Sequence, residues 1–373
     1  GVGHASLYTG AGPATHGIAC NTFYKDGKFV YCCDDENEQT VGSKSKVGAM
    51  SPRNMMSTTI GDMLRQATNF KAMVYGVALK DRAAILPAGH SANGAYWYDK
   101  SIAGFVTSTY YMDKLPDYIT KFNKQIGIKP GIDPKSIPAG VTTTFNLAET
   151  IMKAENLGNN GTTDMLCVSI SSTDAISHTT GTWLSPGKEN EEVFLTLDHD
   201  LKKFFEALDN QVGKDGYLLF LTADHGGTHN PNTMKAHKLP GGYADVNAEI
   251  ATVNDAMGKL FGVEGKYIHR VLDYSLYINR DFLAQNNLCY DKVKAAIINE
   301  FKKKSEIFPF VIDNENAAIA PVPQWIRERV INGYYRGRTG DITLIVRPDH
   351  FSFKVKDDYF GSQHGAWTHA DTH

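Results

Sequence analysis

Residues 165–170 read Met-Leu-Cys-Val-Ser-Ile, and residues 171–174 (SSTD) follow them directly. Two further runs have the same form, residues 72–79 (AMVYGVAL) and residues 217–222 (YLLFLT). Short runs that are apolar at nearly every position and rich in β-forming residues are typical of strands buried on both faces of a parallel sheet. The three runs therefore predict three strands of one mostly parallel sheet.

Helical patterns lie between and after these runs. Apolar residues recur every three or four positions between residues 193 and 208 and again between residues 246 and 260, with Gly262 as the expected helix stop. A later pair of short apolar runs, 342–346 and 351–355, predicts a second group of strands. The expected fold is an α/β fold with a central, mostly parallel sheet, helices on both faces and inserted cap or loop segments.

The sequence indicates one catalytic domain over residues 1–373, with a possible cap or insert around residues 91–145. Within that region, residues 121–140 are rich in Lys, Gly and Pro and are expected to form a surface loop or a cap boundary. Because the chain starts at Gly1 in the middle of a motif, we expect it to be truncated at both ends.

Composition excludes several classes of protein. Hydrophobic residues make up 42% of the 373 residues, which is too many for a mostly disordered chain. The net charge of −3 gives no support to nucleic acid or an anionic membrane as a specific partner. No apolar run is long enough for a membrane span. The five cysteines have no spacing typical of a metal site and do not decide the compartment.

Charged and metal-binding side chains follow each of the three predicted strands. Ligand sites in open α/β sheets form beyond the carboxyl ends of the strands. In chain order, the side chains concerned are Lys80 and Arg82 after the first run, Asp174 and His178 after the second, and Asp224 and His225 after the third. Their coincidence at one edge indicates a site in which metals and cations hold a dianionic phosphate.

Each of these features alone also has an ordinary explanation. Asp174 and His178 are four residues apart, so they can share a helix face as metal ligands do, but this spacing is common by chance. Lys80 and Arg82 would usually belong to a solvated turn. His4 and His16 are expected to brace a helix and not to bind metal.

Several motifs together resemble the alkaline phosphatase superfamily. Those that resemble its metal-binding motifs are residues 172–178 (STDAISH), 222–226 (TADHG) and 361–365 (GSQHG). Residues 3–10 (GHASLYTG) and 13–18 (PATHGI) resemble the stretch after the nucleophile in its phosphatase and phosphodiesterase branches. Residues 79–90 (LKDRAAILPAGH) resemble more narrowly the monomeric, phosphate-irrepressible bacterial alkaline phosphatases, which use a Thr nucleophile.

The resemblance implies a role for each matching residue and two Zn²⁺ ions as cofactors. Asp174, His178 and His364 would bind one zinc, and Asp224 and His225 the other, together with an Asp upstream of Gly1. Asn21, Lys80 and Arg82 would contact the non-bridging phosphoryl oxygens. The nucleophilic Thr would stand immediately before Gly1, so the chain as given is expected to be inactive.

The implied function is zinc-dependent hydrolysis of phosphate monoesters through a phosphothreonine intermediate. Small phosphate esters are the expected substrates, and the protein is expected to be a bacterial, periplasmic or secreted monomer. Two alternatives stay open. One is a phosphodiesterase or nucleotide pyrophosphatase of the same fold, and the other is a non-catalytic relative that binds phosphate or metal.

Overall fold

The computed structural model describes residues 1–182, 185, 187–348, 350–354 and 356–365. Among these residues the strands are β1 (Thr22–Lys25), β2 (Lys28–Tyr31), β3 (Thr40–Val41), β4 (Val74–Ala78), β5 (Gly94–Asp99), β6 (Gly104–Ser108), β7 (Met165–Ser169), β8 (Gly242–Tyr243), β9 (Ile268–Leu272), β10 (Ser275–Ile278), β11 (Phe310–Asp313), β12 (Ile342–Ile345) and β13 (His350–Phe351). The helices are α1 (Val2–Thr9), α2 (Pro13–His16), α3 (Ile60–Ala67), α4 (Asp81–Ala88), α5 (Asp117–Asn123), α6 (Ala139–Ala154), α7 (Ser172–Thr180), α8 (Glu189–Val212), α9 (Pro231–Ala236), α10 (Val246–Phe261), α11 (Arg280–Gln285), α12 (Tyr290–Lys302) and α13 (Gln324–Gly333). Two short 3₁₀ turns add Pro134–Ser136 and Asn314–Ile319.

The largest sheet has five strands in the order β3-β6-β5-β4-β7. β4 pairs in parallel with both β5 and β7, whereas β6 pairs antiparallel with β5 and β3. The strands predicted at residues 72–79 and 165–170 are confirmed as β4 and β7. In the register of β4 and β7, Ala78 lies opposite Ser169. The residues that follow the two strands therefore lie at the same edge of the sheet.

Helices cover both faces of this sheet, which confirms the predicted α/β class. Ala78 belongs to the core shared with α4, while its neighbour Val77 packs in the core that contains Leu147 of α6. Side chains alternate between the two faces of a strand, so β4 contributes to both cores. Gly76 allows α4 to approach closely, since a Cβ there would lie 2.1 Å from the carbonyl oxygen of Ala84.

The periodic segments form helices as expected. Residues 193–208 lie within α8, and residues 246–260 lie within α10, which ends at Gly262 with a left-handed φ of +72°. Of the later strand group, residues 342–345 form β12, whereas β13 ends at Phe351, and Val355 lies outside the described residues.

The prediction of a strand at residues 217–222 is wrong. These residues are not paired into any sheet of the described chain, and Leu218 and Leu221 are 95% and 70% exposed. Both these residues and β7, the last strand of the five-stranded sheet, line a cavity of about 1740 Å³, to which β7 contributes Leu166 and Val168. An apolar run predicts that a segment tends to be buried, but a strand also needs a neighbour whose backbone groups are within hydrogen-bonding distance.

A second sheet has the order β11-β12-β10-β9 and is antiparallel throughout. It shares one hydrophobic core with α10 and α12, separate from the cores of the larger sheet. Within the region 91–145, β5 and β6 belong to the larger sheet, and the division of the chain into domains stays a prediction. In the part of the chain that is described, no helix is both long and apolar enough to cross a bilayer.

His16 braces α1 against α2, as the sequence predicts. The backbone N–H of Ile18 donates to Nδ1 of His16 at 3.1 Å, and Nε2 lies 2.9 Å from the hydroxyl oxygen of Ser6. Burial lowers the pKa of His16 to about 4. The folded protein therefore holds the neutral imidazole with Nδ1 as an acceptor.

We expect His16 to make stability depend on pH. Because its pKa is lower in the folded state, the unfolded chain binds the proton first, and stability is lost as pH falls from about 6.5 towards 4. The free energy of unfolding should drop by about 2 kcal/mol between pH 7 and pH 5 from this group. Urea unfolding at a series of pH values, in excess chelator, measures this change in the free energy of unfolding. His16→Asn keeps an acceptor for Ile18 and should flatten this dependence, whereas an unchanged dependence would assign it to other groups.

Candidate metal and phosphate site

The turn from β7 into α7 carries the first two candidate ligands. Asp174 and His178 lie one helical turn apart, and Oδ1 of Asp174 is 3.1 Å from Nε2 of His178. Nδ1 of His178 lies 2.9 Å from the carbonyl oxygen of Ser362 and donates to it. This bond fixes the ring and turns Nε2 towards the carboxylate, whose hydrogen bond with His178 raises the pKa of the imidazole; a bound metal would take the place of the Nε2 proton.

His364 completes a group of three. Its Nε2 lies 3.8 Å from Oδ1 of Asp174, and the three candidate ligand atoms of Asp174, His178 and His364 all lie within 4.8 Å of one another. Ligand atoms on a tetrahedral zinc with bonds of about 2.05 Å are about 3.3 Å apart. Two imidazoles and one carboxylate at this spacing fit a catalytic zinc, which keeps its fourth position open.

Asp224 and His225 lie beside this group on a segment that belongs to no helix or strand of the described chain. Oδ2 of Asp224 is 3.5 Å from Nε2 of His225, whose Nδ1 donates to the carbonyl oxygen of Gly226 at 2.9 Å. The His225 ring stacks on His364 with a centroid distance of 3.6 Å, and its Nε2 lies 4.0 Å from Oδ1 of Asp174. One carboxylate and one imidazole fit the chemistry of zinc, but they supply only two of the three protein ligands typical of a catalytic ion.

Lys80 lies against the metal-ligand group. It is the N-cap residue of α4, and its Nζ is 2.5 Å from Oδ2 of Asp174. Although burial of Asp174 acts in the opposite direction, the hydrogen bond from His178 and the charge of Lys80 hold the pKa of this carboxyl well below its usual range. Asp174 is therefore ionised at neutral pH, as a metal ligand must be.

Arg82 is held by a short network of side chains. Its guanidinium donates to the hydroxyl oxygen of Tyr31 at 3.1 Å, and that hydroxyl donates to Oδ1 of Asp81 at 2.6 Å. The backbone N–H of Arg82 donates to the same carboxyl oxygen. Tyr31 and Asp81 thus fix the direction of the guanidinium, a contact that the sequence pattern gave no means to predict.

Asn21 and Arg82 meet at Gly1. A Cβ atom on Gly1 would lie 2.4 Å from Oδ1 of Asn21 and 3.2 Å from Cδ of Arg82. Oδ1 of Asn21 is buried and has no hydrogen-bond partner in the described part of the chain. A 180° rotation of the amide would present two N–H donors at the same place.

The pKa values of two further candidate ligands, His364 and Asp224, are also shifted. Burial and the neighbouring His225 lower the pKa of His364 to about 4. Burial of Asp224 opposes its ionisation, but the hydrogen bond and charge of His4 keep the pKa of Asp224 well below its usual range. A neutral imidazole and an ionised carboxylate are the forms that bind zinc.

The eight site residues predicted from the sequence form two adjoining groups. Asp174 lies at the centre of the first, in which its carboxylate contacts Lys80, His178, His225 and His364. Asn21 and Arg82 form the second, around Gly1. Asp224 is next to His225 and also contacts His4, which the sequence assigned to bracing a helix. The signal that was available for His4 is its place in the motif 3–10, directly after the predicted nucleophile.

The chain is similar to several known proteins. Residues 2–367 match the family described as type I phosphodiesterase / nucleotide pyrophosphatase. A protein named calcium-transporting ATPase from Myroides odoratus is 37% identical, with 100% of this chain and 76% of that protein aligned. Alkaline phosphatase PafA from Elizabethkingia meningoseptica is 36% identical over 100% of this chain and 76% of its own length. Alkaline phosphatase PhoV from Synechococcus elongatus is 35% identical over 100% and 74%.

The fold is shared with a solved phosphatase. The crystal structure of wild-type PafA matches with a TM-score of 0.90 and 35% identity, covering 99% of this chain and 79% of the PafA chain. A second solved PafA structure, which carries substitutions of a threonine, an asparagine, a lysine and an arginine, matches with the same TM-score of 0.90 at 34% identity.

Proposed function

We infer the function from one premise: the chain belongs to the type I phosphodiesterase / nucleotide pyrophosphatase family. Within that family it is a phosphatase-type hydrolase related to PafA and PhoV. We propose that it hydrolyses phosphate monoesters and depends on two Zn²⁺ ions. The observation that carries the proposal is the three-ligand group Asp174, His178 and His364, with the ammonium of Lys80 directly against its carboxylate.

In the proposed reaction, bound zinc supplies Lewis-acid stabilisation of the attacking, leaving and phosphoryl oxygens. Asp174, His178 and His364 hold one ion, and Asp224 and His225 contribute to the other. Lys80, Arg82 and the amide of Asn21 bind the non-bridging oxygens and stabilise the charge that develops there in the transition state. The network of Tyr31 and Asp81 keeps the Arg82 guanidinium aimed at these oxygens.

The proposed nucleophile is a threonine bonded to the nitrogen of Gly1. Its oxygen would attack phosphorus as the bond to the alcohol breaks, giving a phosphothreonine that water then hydrolyses to free phosphate. The position of Gly1 between Asn21 and Arg82 supports this, because the preceding residue would then stand beside the phosphoryl-binding groups. In the substituted PafA structure the lysine and the arginine stand two positions apart, as Lys80 and Arg82 do here.

The second candidate is a phosphodiesterase of the same fold, which the family description favours. The pair of cations favours the monoesterase, since a monoester carries one more negative charge on its non-bridging oxygens than a diester does. We further propose that the protein acts as a monomer on small phosphate esters in the periplasm or outside a bacterial cell. Its relatives PafA and PhoV come from bacteria.

The metal content tests the proposal directly. We expect the purified full-length protein, with the residues that precede Gly1, to contain two zinc ions per molecule, because two adjoining groups of carboxylate and imidazole lie in one site. Elemental analysis gives the number, and dialysis against a chelator should abolish hydrolysis of an aryl phosphate until zinc is restored. Activity that persists in the chelated protein would contradict the proposal, and so would a purified protein with one ion or none.

A further inference from the structure

His4 connects three elements of the site. Its Nδ1 lies 2.9 Å from Oδ2 of Asp224, and its Nε2 lies 2.9 Å from the hydroxyl oxygen of Ser169 at the end of β7. The ring belongs to α1, and its side chain is only 13% exposed. One buried imidazole therefore joins α1, the five-stranded sheet and the segment that carries Asp224.

Asp224 has little else to hold it in place. The residues before it are not paired with a strand in the described chain, so no ladder of backbone hydrogen bonds fixes their position. Its neighbour His225 is at 3.5 Å, beyond hydrogen-bonding distance. The backbone of Gly3 also packs on this segment, since a Cβ on Gly3 would lie 1.8 Å from the carbonyl oxygen of Asp224. The contact of His4 with the Asp224 carboxylate and the close approach of the Gly3 backbone both come from the first turn of α1.

We propose that His4 is a positioning residue that orients the Asp224 carboxylate for the zinc it would share with His225. This inference rests on the proposed two-zinc function. The two ring nitrogens face two partners: Nδ1 lies 2.9 Å from Oδ2 of Asp224, and Nε2 is paired with the Ser169 hydroxyl, so the tautomer protonated on Nδ1 places its N–H towards the carboxylate. The contact involves Oδ2, and the carboxylate keeps further lone pairs for the metal. Loss of a group that holds a metal ligand in this way typically lowers metal affinity 10- to 100-fold.

The test measures zinc affinity and not activity. It uses the full-length protein, with the residues that precede Gly1, in competition with a chromophoric chelator. Wild type should show two zinc ions. His4→Ala should weaken one of them by about 10- to 100-fold and leave the ion held by Asp174, His178 and His364 within about threefold. His4→Asn places an amide N–H near the position of Nδ1 and should recover most of the loss. Ser169→Ala removes the other partner of the ring and should cause a smaller loss.

His16→Ala is the matched control, because it removes a buried histidine from the neighbouring helix without touching Asp224. It should lower the unfolding midpoint and leave both zinc affinities unchanged. Unchanged affinities in His4→Ala, or equal losses in His4→Ala and His16→Ala, would overturn the positioning role. If His4→Ala does not fold, Ser169→Ala decides, and unchanged zinc affinity there rejects the inference. A wild type with fewer than two ions overturns the proposed function and this inference with it.

Discussion

Replacement of both Lys80 and Arg82 by alanine is expected to lower kcat/KM for an aryl phosphate monoester by about 1000-fold and for the matching diester by less than about 30-fold. The monoester presents two negative charges on its non-bridging oxygens, and the diester presents one. Arg82 can bind two of these oxygens at once, and Tyr31 and Asp81 already hold its guanidinium in place. Parallel kinetics on the two substrates measure the difference.

The controls separate charge recognition from damage to the site. Lys80 also pairs with Asp174, so the zinc content of the double variant must be measured beside its kinetics. Arg327→Ala with Arg329→Ala removes two cations at the same spacing from α13 and should change neither substrate's kcat/KM. Equal losses on the two substrates would point to damaged metal binding, and a wild-type preference for the diester would select the second candidate function.

The sequence predicts those parts of the fold that depend on local pattern. β4 and β7 are apolar at nearly every position and form strands, while α8 and α10 follow their 3.6-residue periodicity. The spacing of Asp174 and His178 likewise places both side chains on one helix face. In each of these cases the signal lies within one element, and neighbouring elements only reinforce it.

The segment 217–222 shows where local pattern is insufficient. Its composition resembles that of β7, but its pairing depends on a neighbour that the segment itself does not specify. In the described structure the segment is unpaired, and it lines a cavity that β7 also lines. Even so, the sequence correctly placed His225 near Asp174, since Nε2 of His225 lies 4.0 Å from Oδ1 of Asp174.

The contacts that orient the side chains of the site join residues that are far apart in the chain. No local sequence pattern specifies which residues they join. His4 contacts Asp224 across 220 positions, and the carbonyl oxygen of Ser362 fixes the ring of His178. Neither spacing nor residue type identifies the partner in such a contact, and for His4 only its place in the motif 3–10 indicated that it lies near the site. These contacts form only when α1 and the 361–365 loop pack against the edge of the sheet, so the three-dimensional structure is needed to find them.

His364 joins the cluster from that loop, which contains neither helix nor β-strand apart from one isolated bridge, between Gln363 and Thr228. Its Nε2 faces Oδ1 of Asp174 at 3.8 Å, and its ring stacks on His225 at 3.6 Å between centroids. The lowered pKa of His364, about 4, keeps the imidazole neutral at pH 7, so zinc need not compete with a proton there. In the proposed site the residue would therefore be the third ligand of one ion, and its ring also stacks on His225 of the neighbouring group.

His364→Ala should accordingly lose one of two zinc ions and about 1000-fold in kcat/KM for an aryl phosphate, equivalent to roughly 4 kcal/mol of transition-state stabilisation. With His364 gone, Asp174 and His178 alone remain, one ligand fewer than a catalytic zinc typically has. His364→Asp replaces the imidazole by a carboxylate and should recover part of the zinc affinity. His199→Ala, which removes a mostly exposed histidine from α8, is the control and should change neither quantity. A His364→Ala protein that keeps both ions and loses less than tenfold in rate would remove His364 from the metal site.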